Sequence, residues 1–337
     1  MTRRASTEVS GGTGTIRAMA RIFVEGWDPD YGTPLDHDDA LSPAEGSVDT
    51  NVETEDWEPI EGADDDVERI AFVDGVRRVD ARLTLDDREH GPSPGLVGTF
   101  AVGAVVWDRR ARRSEVADVR IERWAVLAGG SGEQMPAVDL EPGVGTTRAP
   151  GDDPNLLMMA LHSKMRDAEG ECAEALSAEC AVVADGPLKK IREHATVGYV
   201  KTHRVTYLEP PFSGVIAELA PGQRSPMFCI AAQTPYARYS WYLRLPMLQG
   251  GHSWTGVVRC EASGRLPREQ VSTIADRTAA VLPLVASEPH VDPRAPQNLV
   301  PIGALERELR HRMGDRGLVF RALRHAVMQP EVEREAS

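Results

Sequence analysis

Two aspartates in this chain directly follow short apolar runs of strand type, and a glycine follows each of them. Asp74 comes after residues 70–73, and Asp185 comes after residues 181–184. Buried strands that deliver carboxylates to one sheet edge can hold a divalent cation, and metal-dependent nucleases use such cations to hydrolyse phosphodiester bonds. The same Asp-Gly pair is a common turn signal, so either aspartate alone could merely shape a turn. The presence of two such pairs, in the right order along the chain, makes the metal site an equal alternative to the turn.

The third ligand of this site is expected from the helix predicted just before Asp185. Carboxylates placed close together repel one another, and they are tolerated when a cation lies between them. The helix offers Glu169, Glu171 and Glu174, of which Glu169 is nearest to its apolar face. Glu169 is therefore the candidate that joins Asp74 and Asp185 in holding Mn²⁺ or Mg²⁺. A solvated surface position is the usual alternative for a helical glutamate.

The most basic stretch outside the termini begins shortly after Asp185. Its cationic residues are Lys189, Lys190, Arg192, Lys201 and Arg204. Lysine and arginine at this position could hold a DNA backbone or stabilise the charge that develops on a phosphate in the transition state. We predict that Lys189, Lys190, Arg192 and Arg204 bind DNA. The alternative is a basic loop that is only solvated.

Several functional classes lack their sequence signatures. The chain has no Walker-type loop, no HExxH and no GxSxG, so ATP hydrolysis, zinc proteolysis and serine hydrolysis are unsupported. No apolar stretch reaches the roughly 18 residues that span a bilayer, and no apolar secretory signal follows the N-terminus. The four cysteines show no CxxC spacing, which favours reduced thiols. These observations predict a cytoplasmic protein that does not enter a membrane.

Acidic residues are concentrated in one segment near the N-terminus. The net charge of the chain is −14, and residues 28–68 contain sixteen Asp or Glu and no Lys or Arg. Because these sixteen negative charges lie in one segment, the remainder carries a net charge of +2 and can present a local basic surface. We expect the segment to be a solvated loop or tail. A DNA-mimicking or helicase-docking role is the alternative.

The order of elements predicts an α/β fold. Strands are expected at residues 21–27, 70–73, 79–85, 96–107, 116–127, 181–185, 197–201, 239–245 and 256–261, and helices at 155–177, 268–284 and 302–313. Strands followed by a helix and a further strand give the order of an RNase H-like mixed sheet flanked by helices. In that fold the first strand is central and the strand after the first helix pairs alongside it, so Asp74 and Asp185 would lie on adjacent strands.

The same pattern predicts a single large domain with an acidic N-terminal extension. Residues 1–18 are polar and rich in Gly and Thr, which is typical of a disordered tail. Residues 19–69 form the acidic segment, which we expect to be partly packed, with Trp57 as an anchor. Residues 70–325 form the predicted nuclease domain, and residues 326–337 form a flexible tail.

With these residues assembled, the chain resembles the NurA nuclease family from about residue 70 to residue 323. The resemblance depends on Phe-Val-Asp-Gly at 72–75, Val-Ala-Asp-Gly-Pro-Leu at 183–188 and Val-Gly-Tyr-Val-Lys-Thr at 197–202. Trp-Tyr-Leu-Arg-Leu at 241–245 and Pro-Gln-Asn-Leu-Val-Pro at 296–301 support it. The three segments that contain or follow the two aspartates are moderately specific as a set, and none suffices alone.

The resemblance implies an RNase H-like fold, a ring-like homodimer and manganese-dependent degradation of DNA. It also implies a partner, a hexameric HerA-type ATPase that works with the nuclease in resecting DNA ends. By the same resemblance Asp74 and Asp185 would be metal ligands and Glu169 would match the helical ligand. Lys201 would lie near the scissile phosphate and act in catalysis.

One departure from the family pattern leaves other functions open. The family usually carries a metal-binding histidine shortly after its late proline-leucine motif, whereas residues 299–304 contain none. His290 and Asp292 lie just upstream and could substitute. A catalytically impaired dimeric adaptor, docked on the ATPase through the acidic segment, is therefore the second hypothesis. A third is an RNA-processing enzyme of the same fold, although no residue visibly reads a 2′-hydroxyl.

Overall fold

The computed structural model describes residues 21–24, 47–87, 91–129, 135–188, 195–203, 205–232, 234–246 and 253–328. These residues form one domain, a large mixed sheet flanked by helices, which confirms the predicted α/β class. The predicted tail at residues 1–18 lies outside the described residues. No helix in the described part of the chain is long and apolar enough to cross a bilayer.

In these residues the sheet contains thirteen strands: β1 (Arg21–Val24), β2 (Val48–Asp49), β3 (Ile60–Glu61), β4 (Arg69–Asp87), β5 (Gly91–Asp108), β6 (Arg113–Leu127), β7 (Val144–Arg148), β8 (Ala181–Asp185), β9 (Thr196–Val200), β10 (Gln223–Arg224), β11 (Phe228–Ile230), β12 (Arg238–Arg244) and β13 (Val257–Ser263). The helices are α1 (Pro154–Leu176), α2 (Gly214–Glu218), α3 (Arg268–Val281), α4 (Val300–Arg312) and α5 (Arg316–Met328). A 3₁₀ turn, Leu282–Val285, extends α3.

The centre of the sheet places the two Asp-Gly segments side by side. Its strand order is β6-β5-β4-β8-β9-β13-β12, in which β4, β5 and β6 form an antiparallel meander. After α1, strand β8 pairs in parallel with β4, and β9 pairs in parallel with β8. Val73 is the register partner of Ala184, so Asp74 and Asp185 come next on adjacent strands.

Helices cover both faces of these central strands, which is why the strands read as nearly continuous apolar runs. On one face Ala71 and Val73 of β4 pack against α1 through residues such as Leu161 and Met165. On the other face Ile70 and Phe72 share a core with the residues of α3. Side chains alternate along a strand, so Asp74 lies on the face that carries α3 rather than on the α1 face.

The prediction of separate strands at residues 70–73 and 79–85 was wrong. Strand β4 is continuous from Arg69 to Asp87, with an irregularity in register between Val79 and Ala81. Asp74 and Gly75 make no turn there, because the adjacent strand β5 supplies an unbroken antiparallel partner through both positions. A turn signal in the sequence is overridden when a long neighbouring strand can continue the backbone hydrogen bonds.

Helix α5 was absent from the predicted elements. Its buried residues Val319 and Leu323 pack into a core with residues of β4 and β5. The helix ends at Met328, three residues inside the segment predicted as a flexible tail. The clearest predicted helix, at 155–177, corresponds to α1, and Asp153 caps it by accepting a hydrogen bond from the Asn155 N–H at 2.8 Å.

The described part of the acidic segment is attached to the body by ion pairs. Glu53 accepts hydrogen bonds from both terminal nitrogens of Arg224, at 2.8 and 2.9 Å. Asp64 and Asp65 pair with Arg109 and Arg277 respectively. The predicted anchor Trp57 packs on Phe212, with ring centroids 5.0 Å apart. These contacts support the expectation that the segment is partly packed.

The Glu53–Arg224 pair is the most deeply buried of these attachments. Arg224 is only 1% exposed and also donates to Asp276 at 2.7 Å. Burial alone would raise the pKa of Glu53, but hydrogen bonds and charge from Arg224, with hydrogen bonds from the Met227 N–H and the Ser272 hydroxyl, outweigh it and lower that pKa.

We predict that Glu53→Gln lowers the free energy of unfolding by about 2–3 kcal/mol, because it leaves a buried guanidinium with one carboxylate partner instead of two. The matched control Asp276→Asn keeps the bidentate Glu53 contact and is expected to cost less. Because the folded-state pKa of Glu53 is lowered, its stabilisation is present above the unfolded-state pKa and is lost as pH falls through the folded one. Urea unfolding across acidic pH measures both effects. Equal losses in the two variants would contradict this ranking.

Candidate metal centre

Three carboxylates from separate parts of the chain meet in one cleft. One oxygen from each of Asp74, Asp185 and Glu306 lies within 4.8 Å of the other two. Asp74 is 7% exposed and Glu306 is 5% exposed, whereas Asp185 is partly exposed. The cleft has a volume of about 340 Å³ and is lined by all three. The predicted convergence of Asp74 and Asp185 is therefore present, and Glu306 is a third carboxylate that the sequence analysis missed.

Side chains alternate between the two faces of β4, and this explains why Glu306 reaches Asp74. Helix α4 packs on β4 and β5 through buried Leu305 and Leu309, in a core that includes Val76. Val76 and Asp74 are two positions apart, so both side chains project from the same face of β4. Glu306 follows Leu305 on α4 and projects to the carboxylates from that face.

Strand β4 also fixes the far end of α4. Arg78 donates hydrogen bonds to the carbonyl oxygens of Met313 at 3.1 Å and Gly314 at 2.6 Å, just beyond the last residue of the helix. The fully buried Asp80 accepts from Arg78 at 2.8 Å and holds its guanidinium in place. A cation at this end also complements the helix dipole. The strand that carries Asp74 thus positions the helix that carries Glu306.

Asp185 is held by the turn that follows β8. Gly186 has a φ of +90°, a conformation that favours glycine. Arg166 of α1 donates to the carbonyl oxygens of Asp185 at 2.6 Å and Pro187 at 2.7 Å. A Cβ at position 186 would lie 3.1 Å from the Arg166 guanidinium, so a side chain would crowd this clamp as well as strain the backbone.

Glu169 lines the same cleft but lies outside the three-carboxylate cluster. It is 5% exposed, and its Oε2 accepts a hydrogen bond from Arg166 at 2.5 Å. Its other oxygen lies against Gly75, on the α1 side of β4, where a Cβ would come within 2.5 Å of it. The sequence analysis chose the right cleft for Glu169, but the position beside Asp74 and Asp185 belongs to Glu306 because α4 covers the face from which Asp74 projects.

Lys201 lies at the cluster, where it was predicted. Its Nζ donates to Asp185 Oδ2 at 2.6 Å and to Asn298 Oδ1 at 2.8 Å. Asn298 in turn donates to Asp292 at 2.6 Å, which fixes the orientation of its amide. The ammonium thus offsets part of the negative charge of the cluster.

Glu306 is oriented by arginines. The two terminal nitrogens of Arg294 donate to its two carboxylate oxygens at 2.8 and 2.9 Å, and Arg310 donates to Oε2 at 3.2 Å. Burial would raise the pKa of Glu306, but hydrogen bonding and charge from Arg294, with the charges of Lys201 and Arg310, outweigh it and lower that pKa. Glu306 is therefore held in its ionised form, ready to bind a cation.

Asp74 has the opposite electrostatic balance. Burial raises its pKa well above the ordinary value, and the negative charge of Asp185 raises it further. Lys201 opposes these effects, while Glu169 and Glu306 add to them. A carboxyl group in such surroundings gains most from a bound cation, which removes the cost of its ionisation.

The cluster suits a hard divalent cation. Carboxylate oxygens are the ligands that Mg²⁺ prefers, at about 2.0–2.1 Å in octahedral geometry. Opposite ligands of such an ion are about 4 Å apart and adjacent ligands about 3 Å apart. Oxygens within 4.8 Å of one another therefore reach this geometry through small side-chain movements. The donor set, which contains no sulfur or imidazole, also suits Mn²⁺.

The suggested substitutes for the late histidine lie outside the cluster. His290 is exposed and pairs with Glu288 at 3.3 Å. Asp292 is engaged by Arg294 at 3.0 Å and by Asn298, and it supports the side chains around Glu306. The predicted DNA-binding residues Lys189, Lys190, Arg192 and Arg204 lie outside the described residues.

A signal in the sequence could have indicated Glu306. In the predicted helix at 302–313, Ile302, Leu305 and Leu309 recur at helical spacing and form the apolar face. Glu306 lies within that face, four residues after Ile302, where an unpaired charge would be costly. A carboxylate in the apolar stripe of a helix therefore indicates a partner cation, either an arginine or a metal ion.

No protein-family model matches this chain, and no curated protein matches it. The chemistry of the cleft must therefore be inferred from its own geometry.

We predict that Glu306→Gln weakens Mn²⁺ binding by more than about a hundredfold, because loss of a direct ligand should exceed the 10–100-fold cost of losing a supporting residue. Glu169→Gln, a matched change in the same cleft, is expected to cost about tenfold or less. Isothermal titration calorimetry gives both affinities. A larger loss in Glu169→Gln than in Glu306→Gln would restore the ligand set expected from sequence.

We predict that Asp74→Asn makes the metal-free protein more stable at neutral pH, by about 0.5–2 kcal/mol, because functional sites often retain destabilising groups. The folded-state pKa of Asp74 is raised, so its ionisation opposes folding as pH rises from the unfolded value through the folded one. Wild type should gain about 2.7 kcal/mol at a hundredfold excess of Mn²⁺ over Kd, and EDTA should remove that gain. Thermal unfolding with and without EDTA measures both. A Mn²⁺ gain in Asp74→Asn equal to that of wild type would contradict this assignment.

Proposed function

We propose that this protein is a metal-dependent nuclease that hydrolyses phosphodiester bonds in DNA. The observation that carries the proposal is the convergence of Asp74, Asp185 and Glu306 on one point of a cleft that arginine and lysine side chains also line. A bound Mn²⁺ or Mg²⁺ would supply an activated water and neutralise charge that develops on the leaving oxygen.

The side chains around the cluster would divide the remaining work. Asp74, Asp185 and Glu306 bind the cation, and Arg294 keeps both oxygens of Glu306 in a fixed orientation. Arg166 fixes the backbone on both sides of Gly186, and so the direction of Asp185. Lys201, which contacts Asp185 at 2.6 Å, is placed to bind the phosphate oxygens once a cation takes over the carboxylate.

We also propose that the fold is RNase H-like. The support is the sequence of an antiparallel meander β4-β5-β6, helix α1, and strand β8 in parallel beside β4, with β9 in parallel beside β8. The motif at 183–188 forms the end of β8 and its turn, and the motif at 197–202 leads along β9 to Lys201. The motif at 296–301 leads into α4, where Glu306 offers a carboxylate in place of the missing histidine. These placements favour the NurA-like interpretation.

We propose the same partners and assembly that the resemblance implies. A hexameric HerA-type ATPase, a homodimer and a role in DNA end processing follow from the resemblance to NurA nucleases. A cytoplasmic location is supported by the free, buried state of Cys172, Cys180, Cys229 and Cys260, since reduced thiols are usual in that compartment.

The adaptor hypothesis is weakened by two features of the described residues. Its docking element was to be the acidic segment, of which Glu53, Asp64 and Asp65 are already paired with arginines of the same chain, while other described acidic residues such as Glu55 and Glu58 are exposed. Its motive was the missing histidine, but Glu306 completes a carboxylate cluster without it. An adaptor would also show no Mn²⁺ binding that depends on these carboxylates.

We predict that Asp74→Asn and Asp185→Asn each lower the rate of DNA cleavage in Mn²⁺ by more than about a hundredfold, since each removes a group that stabilises the charged transition state. Labelled single-stranded DNA, duplex DNA and RNA of the same sequence are compared on denaturing gels. The control is Glu308→Gln, which removes an exposed carboxylate of α4 that pairs with Arg312. It should cleave like wild type.

Undiminished cleavage by both aspartate variants would remove the proposed site. Absence of any cleavage by wild type, with Mn²⁺ bound, would favour the adaptor. Cleavage of RNA alone would favour the RNA-processing alternative.

A further inference from the structure

Cationic side chains already balance the carboxylates in and beside the cleft. Among the described residues that line it, the acidic ones are Asp74, Glu169, Asp185 and Glu306, and the basic ones are Arg77, Arg166, Lys201, Arg294 and Arg310. A divalent cation at the cluster would add two further positive charges. A polyanion is therefore the ligand class that complements the metal-loaded cleft.

Three of these basic residues are committed to holding the site together. Arg166 binds Glu169 and the two carbonyl oxygens that flank Gly186. Lys201 binds Asp185 and Asn298. Arg294 uses all of its guanidinium nitrogens on Glu306 and Asp292. Arg166 and Arg294 act as supports for the carboxylates, and Lys201 reaches a phosphate oxygen only after a cation takes over Asp185.

Arg310 differs from these supports in its exposure and in its contacts. Its side chain is 58% exposed, and its contact with Glu306 is a single hydrogen bond of 3.2 Å. Both oxygens of Glu306 already accept hydrogen bonds from Arg294, so Arg310 adds little to the orientation of that carboxylate. Because Arg310 lines the cleft and is mostly exposed, the rest of its planar fork of donors, which suits phosphate oxygens, is available to a ligand.

The position of Arg310 on α4 relates it directly to the cation cluster. It lies four residues after Glu306, which places both side chains on the same face of the helix. When one phosphate of a nucleic acid strand is attacked at the cluster, the next phosphate of that strand would lie along this face of the helix. One helix would therefore present a metal ligand and, one turn later, a phosphate-binding group.

We infer that Arg310 binds a backbone phosphate of the nucleic acid strand next to the phosphate that is cleaved. The inference rests on the proposed nuclease function and adds a substrate-binding residue to it. Removing Arg310 should therefore weaken DNA binding and reduce its dependence on salt, without a loss of metal affinity.

Arg312 provides a matched control on the same helix. Its side chain is 45% exposed, it pairs with Glu308 at 2.7 Å, and it does not line the cleft. Arg310→Gln and Arg312→Gln therefore remove the same charge from neighbouring exposed positions, and only the first removes it from the cleft.

The test is binding of a short fluorescein-labelled single-stranded DNA by fluorescence anisotropy over a salt series. Ca²⁺ replaces Mn²⁺ so that a hard cation occupies the cluster, and gels check that the DNA stays intact. Arg310→Gln should weaken binding by about tenfold and lower the slope of log K against log salt by about 0.7. Arg312→Gln should change the affinity by about twofold or less, and Arg310→Lys should recover part of the loss.

Calorimetric titration with Mn²⁺ separates a substrate contact from a structural role. Arg310→Gln should lose no Mn²⁺ affinity, because Arg294 still orients both oxygens of Glu306, and it should keep the wild-type melting temperature. Equal effects of Arg310→Gln and Arg312→Gln on the salt slope would overturn the inference, as would a loss of Mn²⁺ affinity in Arg310→Gln large enough to account for its weaker DNA binding. Either result leaves the nuclease proposal intact if wild type cleaves DNA, whereas a wild type that binds no DNA ends both.

Discussion

The candidate metal centre depends on keeping three carboxylates together in one cleft, where two of them are almost completely buried. Asp74 and Glu306 are almost fully buried, and with Asp185 they place like charges within a few ångströms. Such a group opposes folding unless cations offset it. Lys201 and Arg294 supply part of that offset from within the chain, and the raised pKa of Asp74 shows that it is incomplete. The remaining deficit is what suits the cleft to a cation.

Strand β4 connects every part of this arrangement. It carries Asp74, pairs in register with the strand that ends at Asp185, and through Arg78 fixes the end of the helix that carries Glu306. One extended segment of backbone therefore positions both the strand that ends at Asp185 and the end of the helix that carries Glu306. Because β4 also pairs with β5 along nearly its whole length, its position resists local movement. The geometry of the cluster is set by a strand rather than by loops.

The sequence was sufficient for the pairing of Asp74 with Asp185, because strand, helix and strand order, with parallel pairing, leaves few arrangements for two buried apolar runs. It misplaced the third ligand for a reason that lies in β4. Glu169 is on α1, the helix that precedes Asp185 in sequence, but α1 packs on the face of β4 opposite to Asp74. The face of β4 from which Asp74 projects depends on strand register, which composition alone does not reveal. Glu306 lies far along the chain, and its proximity to Asp74 depends on tertiary packing of α4. The continuity of β4 was also missed, because the turn tendency of Asp74-Gly75 is local whereas the support from β5 is not.

The late place of α4 in the chain affects how the protein matures. During synthesis the strands that carry the first two aspartates emerge well before Glu306, and the helix must then dock on β4 before the cluster closes. Under the proposed function, a nascent polypeptide would lack one of the three carboxylates until translation has passed α4. A nuclease built in this way would stay inactive on the ribosome until α4 has docked.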